Sequence, residues 1–238
     1  MNFDAVISNP PYSLKWSMDS ELAINGYPLA PRSKADWQFI LQGLSELDEG
    51  GTAVYVLPHG VLFRGATEGK IRKRIIDENY LDAVIGLPAK LFDVTDIPTL
   101  LMVLKKHRPT TDVLFIDASN ECEHVKNKNV IRPQDVEKIV KSYQSRAEQD
   151  RYAHNATLQE IKDNDYNLNI PRYVDTYVPD PPINLMEVMA DMQETDLQIA
   201  ANDAELADMF DQLHDTRSPQ GQKELETFRD FFRKRVTS

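Results

Sequence analysis

The sequence predicts an α/β fold, a mostly parallel sheet with one antiparallel strand, followed by a C-terminal helical tail. Three observations carry that expectation. Short β-rich runs alternate with segments of 3.6-residue apolar period. Several of the runs stop at a proline, as at Pro10, Pro58 and Pro88. Charge and periodicity both change beyond Val178.

Phe3-Asp4-Ala5-Val6-Ile7-Ser8 reads as a short buried strand, and Asn9-Pro10-Pro11-Tyr12 halts it, because two prolines cannot donate to a ladder. Residues 13–32 are irregular, punctuated by Gly26, Pro28 and Pro31. Trp37, Ile40, Leu41, Leu44 and Leu47 share one helical face, and Gly50-Gly51 should end that helix. Thr52–Leu57 is a strand, residues 67–78 a helix, Leu81–Leu87 a strand, Thr99–Leu104 another and Val113–Ile116 one more. The connection over residues 88–98 is too short for a parallel crossover, so the strands it joins should be antiparallel. Gln134–Arg146 reads as a helix, and Tyr166–Tyr173 as an aromatic, Asn-rich closing segment.

Beyond the prolines at 179, 181 and 182, one long helix is expected, capped by Asp180 with Pro181 at its first position. Leu185, Met189, Met192, Asp196, Ile199, Asp203, Leu206, Phe210 and Leu213 recur at alternating steps of four and three. Such a seam serves either a partner helix, with the two aspartates selecting register, or packing on the chain's own body. Two domains are therefore expected, residues 1–178 and 179–238.

The 238 residues carry 27 Lys plus Arg against 38 Asp plus Glu, a net charge of -11. That argues against a free-standing protein that grips nucleic-acid phosphates over a broad basic face. The region from Pro179 to Thr216 holds ten acidic residues and no Lys or Arg, whereas residues 1–178 are close to balanced. No apolar run is long enough to cross a membrane, no secretory leader is visible, and the lone Cys122 suits a reducing, cytoplasmic setting.

The most informative chemistry lies in Asn9-Pro10-Pro11-Tyr12, at the carboxyl end of the first strand. An exocyclic aromatic amine is a poor nucleophile because its lone pair is delocalised into the ring. A side-chain amide oxygen and a neighbouring backbone carbonyl can accept its two N–H bonds, favouring the pyramidal nitrogen of a methyl-transfer transition state. Pro10-Pro11 would fix that carbonyl, and Tyr12 would offer a ring on which a planar substrate stacks.

These residues, with their flanks, resemble the amine-binding motif of adenine-N6 DNA methyltransferases. More narrowly, the chain resembles the methylation subunit of type I restriction–modification systems. Val56–Gly65, Ile71-Arg72-Lys73, Ala83–Pro88, Leu91-Phe92, Ile97-Pro98-Thr99 and Tyr166–Asn169 support that likeness in order. The resemblance implies the second half of a Rossmann-like methyltransferase sheet, with S-adenosylmethionine as cofactor. Asn9 and the Pro10 carbonyl would hold the adenine amine, and Tyr12 and Phe92 would stack on a flipped base. A core role for Phe92 is the alternative. The implied partners are a specificity subunit, a second methylation subunit and the restriction subunit, with DNA reached mainly through the assembled complex.

The family's Gly-rich cofactor turn is not found, since none of the nine glycines forms a G-x-G turn after a strand. The resemblance therefore implies the carboxyl-terminal part of a subunit, inactive in isolation and binding cofactor only weakly. Two other classes stay open: a non-catalytic protein docking on the specificity subunit, and a methyltransferase acting on protein glutamine. Glu121-Cys122-Glu123-His124 has no second cluster at metal-ligand spacing and reads as an exposed loop. His59 is a site-rim candidate without triad partners. Lys70, Arg72, Lys73 and Arg74 are either phosphate contacts or a solvated helix face.

Overall fold

The computed structural model describes residues 2–17, 24–93, 95–177, 182–213 and 218–236. The chain divides into two compact units, Met1–Tyr177 and Val178–Ser238.

In the first unit, the strands and helices alternate as β1 (Phe3–Ser8), α1 (Asp36–Glu46), β2 (Leu47–Pro58), α2 (Ala66–Asp77), β3 (Leu81–Gly86), β4 (Thr99–Lys105) and β5 (Val113–Asp117). A small hairpin follows, β6 (Glu123–Val125) and β7 (Lys128–Val130), then α3 (Pro133–Ser145), β8 (Ala153–Ala156) and α4 (Leu158–Asp163). The main sheet has the order β1-β2-β4-β3-β5-β8. β1 runs parallel to β2, and β3 parallel to β5. β4 lies antiparallel between β2 and β3, as the short connection requires. A second reversed strand, β8, pairs with β5 at the far edge. Nothing in Ala153-His154-Asn155-Ala156 announces it; burial of both its alanines against the sheet holds it there.

Helices cover both faces of the sheet, unevenly. Trp37, Ile40, Leu41 and Leu44 of α1, Ile71 and Ile75 of α2 and Ile161 of α4 join one buried cluster with Tyr55, Leu57 and Phe115. Tyr173, from the closing segment, stacks on Phe115 with ring centroids 3.9 Å apart. On the other face, Ile139 of α3 packs with Ile85, Val103 and Ile116.

Three local expectations need correction. β1 is an edge strand rather than a buried one: Val6 packs inward, but Phe3 is 44% and Ile7 86% exposed. Gly50-Gly51 does not end α1, which stops at Glu46; both glycines lie inside β2. The reason is a register shift between Phe3↔Leu47 and Ala5↔Thr52, where β2 takes up extra residues. A Cβ on Gly51 would meet Leu47 at 2.7 Å and the Phe3 carbonyl at 3.0 Å, so this bulge requires glycine. Finally, Glu123 and His124 form strand β6 rather than loop, although the hairpin is as exposed as expected.

The second unit is a helical hairpin, α5 (Leu185–Gln212) and α6 (Pro219–Val236), not one helix. The expected cap Asp180 and Pro181 lie outside the described residues. Asn184 is the observed cap, its Oδ1 accepting from the Met186 N–H at 3.1 Å. α6 folds back on the C-terminal part of α5: Phe210 stacks with Phe228 and Phe232, and Arg233 grips Asp211. The seam residue Asp203 is buried and pairs with Arg235 at 2.9 Å. That half of the seam thus serves the chain's own second helix. Toward the start of α5, Leu185, Met186, Met189, Met192 and Leu197 remain exposed.

Candidate active site

β1 delivers Asn9-Pro10-Pro11-Tyr12 at its carboxyl end, where Pro10 is buried and Asn9 and Pro11 face solvent. Tyr12 turns back on Asn9, its hydroxyl donating to Asn9 Oδ1 at 3.0 Å. That bond orients the amide with its oxygen toward the ring and leaves Oδ1 a second lone pair. Burial pushes the Tyr12 hydroxyl above its ordinary value, so it stays protonated and remains a donor.

Phe92 comes from a loop 80 residues away, yet its ring meets that of Tyr12. The centroids are 6.4 Å apart and the planes 79° from parallel, an edge-to-face pair. The structure therefore brings together Asn9, Pro10, Pro11, Tyr12 and Phe92.

Each aromatic has its own support. Directly after Tyr12, the Ser13 N–H donates to Asp36 Oδ1 at 2.7 Å. Asp36 opens α1, is fully buried, and accepts at Oδ2 from Arg64 Nη2 at 3.0 Å. Arg64 Nε lies 3.4 Å from Glu68, whose carboxyl burial pushes upward against the pull of that guanidinium. Ala35 N–H to the Leu14 carbonyl (2.9 Å) and Trp16 N–H to the Arg32 carbonyl (3.0 Å) tie the following residues to the same place. Sequence reasoning missed Asp36; the only available signal was an acid beside Trp37 at the head of an apolar helix.

The Phe92 loop is held by the small hairpin. Asn129 donates from its backbone N–H to the Lys90 carbonyl at 3.0 Å and from Nδ2 to the Ala89 carbonyl at 2.8 Å. Lys128 pairs with Asp93, and His124 Nδ1 pairs with Asn129 Oδ1. Among the described residues, no group of His, Cys, Asp and Glu is arranged to hold a metal.

The remaining candidates divide between structural contacts and exposed side chains. His59 Nε2 sits 3.1 Å from the Thr99 carbonyl, joining the ends of β2 and β4. Of the basic cluster, Arg72 is buried and donates to the carbonyls of Tyr166, Val61 and Arg64. Arg74 binds Glu78 and lies over the Tyr27 ring. Lys70 and Lys73 stay exposed, lining a cavity of about 400 Å³ with Tyr166 and Arg172.

A family profile described as N-6 DNA Methylase matches residues 1–179. The chain belongs to that family. The methylase subunit of the type I restriction enzyme MpnII from Mycoplasma pneumoniae is 40% identical over 182 residues, 73% of this chain and 34% of that protein. The MjaVIII methylase subunit of Methanocaldococcus jannaschii is 33% identical over 204 residues, covering 80% of this chain and 35% of its own length. This chain thus spans about a third of the curated relatives it matches. Among solved structures, the type I restriction–modification methyltransferase subunit from Streptococcus thermophilus superposes with a TM-score of 0.72 at 51% identity. It covers 74% of this chain and 39% of that one. These family members bear out the α/β methyltransferase fold expected from the sequence.

Proposed function

We propose that this chain supplies the adenine-amine site of a type I methylation subunit, which transfers a methyl group from S-adenosylmethionine to adenine N6 in DNA. The observation that carries the proposal is the juxtaposition of Asn9 Oδ1, the buried Pro10 and the Tyr12–Phe92 ring pair at one strand end. Asn9 Oδ1 and the Pro10 carbonyl accept from the amine and keep electron density on nitrogen as the bond to carbon forms. Tyr12 and Phe92 flank the flipped base and partly replace the stacking it loses in the duplex.

Bound S-adenosylmethionine would supply an electrophilic methyl group. Residues outside this chain would hold most of it, a reading supported by how the chain's own glycines are used. A Cβ on Gly60 would meet the Arg64 guanidinium and one on Gly86 would meet Ile170, so these glycines admit the protein's own side chains. Residues 1–178 act as part of the catalytic domain. Residues 179–238 act in assembly with a specificity subunit, a second methylation subunit and a restriction subunit, supported by the exposed apolar start of α5. Family membership favours DNA over protein glutamine as substrate, and the net charge of -11 suits DNA binding by the complex rather than by this chain alone.

Asn9→Ala, in the assembled enzyme containing this chain, should lower kcat by roughly 10²–10³-fold while leaving DNA affinity largely intact. Near-normal methyl transfer to a DNA duplex would reduce Asn9 to a turn residue. Removing residues 178–238 should leave the first unit folded and abolish co-purification with a specificity subunit. Undiminished co-purification would place that interface elsewhere.

A further inference from the structure

The amine-binding turn is unusual in where its conformation is fixed. Ser13, immediately after Tyr12, adopts a left-handed backbone with φ of 50°, one of eleven such non-glycine positions among the described residues and a conformation less favourable for a residue with a Cβ than for glycine. The contact that holds it is not local. It comes from Asp36, 23 residues on, whose Oδ1 takes the Ser13 N–H at 2.7 Å.

A fully buried carboxylate needs a counter-charge, and Arg64 provides it at 3.0 Å. Arg64 is itself confined. A Cβ on Gly60 would lie 2.7 Å from its Nε and Nη2, and Glu68 flanks its other side at 3.4 Å. Asp36 thereby ties three segments together: the turn after β1, the head of α1 and the loop between β2 and α2.

Resting on the proposed amine site, we propose that Asp36 is a positioning residue for the methyl transfer. Held by Arg64, it fixes the Ser13 amide and so aims Asn9 Oδ1 and the Pro10 carbonyl at the substrate nitrogen. It touches neither substrate nor cofactor. Misplacing such acceptors by a fraction of a bond length weakens interactions made chiefly in the transition state, so the effect falls on kcat.

Two measurements test this. In the 238-residue chain, amide hydrogen exchange should show the Ser13 N–H protected, with about tenfold loss of protection in Asp36→Asn and more in Asp36→Ala. In the assembled enzyme acting on a DNA duplex, Asp36→Ala should lower kcat by on the order of 10²-fold, with KM for DNA and for S-adenosylmethionine within about threefold. Asp36→Asn, which keeps an acceptor for Ser13, should restore part of that loss. A folded Asp36→Ala enzyme with unchanged kcat, or unchanged Ser13 protection, overturns the proposal. Should Asp36→Ala fail to fold, Arg64→Lys takes its place: a lowered kcat at unchanged KM supports the role, and an unchanged kcat overturns it. If Asn9→Ala abolishes transfer while the Asp36 variants do not, only the positioning role fails. If Asn9→Ala also leaves transfer intact, the amine site itself is wrong.

Discussion

The two aromatic walls of the candidate site are built on different physical terms. Tyr12 is followed by Ser13, whose amide is held by a buried carboxylate with a guanidinium partner. Phe92 stands on a loop whose tethers are two hydrogen bonds from Asn129 and an ion pair, Lys128–Asp93, with side chains 54% and 77% exposed. Exposed pairs of that kind are worth about 0–1 kcal/mol, whereas breaking a buried pair costs about 3–5 kcal/mol. One wall is therefore tied more tightly than the other. A planar ring between two aromatic faces needs them about 7 Å apart and parallel, since each contact takes about 3.5 Å. The present pair is edge-on at 6.4 Å, so the proposed base stack requires a ring to turn, and the more weakly tethered Phe92 side is the one expected to do so.

The strongest challenge to this contrast is truncation of each ring in the assembled enzyme. Tyr12→Ala removes stacking and the bond to Asn9 together, so it should depress kcat by roughly 10²-fold and weaken base capture as well. Phe92→Ala should act mainly on capture, losing about 1–3 kcal/mol of stacking. A fluorescent base analogue at the target adenine would report less flipping while chemistry on the flipped fraction stays near normal. Equal effects of the two variants on both readouts would erase the distinction between the walls. A gentler probe is Asn129→Ala, which removes the side-chain bond to the Ala89 carbonyl and leaves the backbone bond to Lys90 in place. Each lost hydrogen bond is worth about 0.5–1.5 kcal/mol, so the melting temperature should fall by only a few degrees. Flipping should become more variable, and a flipping signal identical to that of the parent would show that this bond does not govern the loop.

How much of this was legible beforehand follows the range of the interactions. Proline stops and alternating periodicity are local, and they located β1, its terminal Asn-Pro-Pro-Tyr and the strands through β5. Phe92 entered through family likeness, because no local pattern places it beside a tyrosine 80 residues earlier. The Asp36–Ser13 and Asn129–Ala89 bonds are long-range contacts of ordinary polar residues and leave no periodic trace. Gly50-Gly51 misled because a bulge and a helix stop use the same residue. The hairpin in the tail did carry a signal, Ser218-Pro219, which places a capping hydroxyl before a proline at the first helical position. The long seam obscured it, since a heptad pattern does not reveal whether its partner is another chain or the next helix.

The exposed outer row of β1 has a consequence for handling the molecule. Phe3, Ala5 and Ile7 line one side of a strand that is paired with β2 alone, among the described residues. Unsatisfied ladder groups next to an apolar row make an adhesive border, without the lysine, proline or bulge that usually blunts one along Ala5–Ser8. Kept by itself in solution, the 238-residue chain should therefore gain mass with concentration through strand-to-strand pairing, and colloidal behaviour rather than thermal stability would limit how it can be stored.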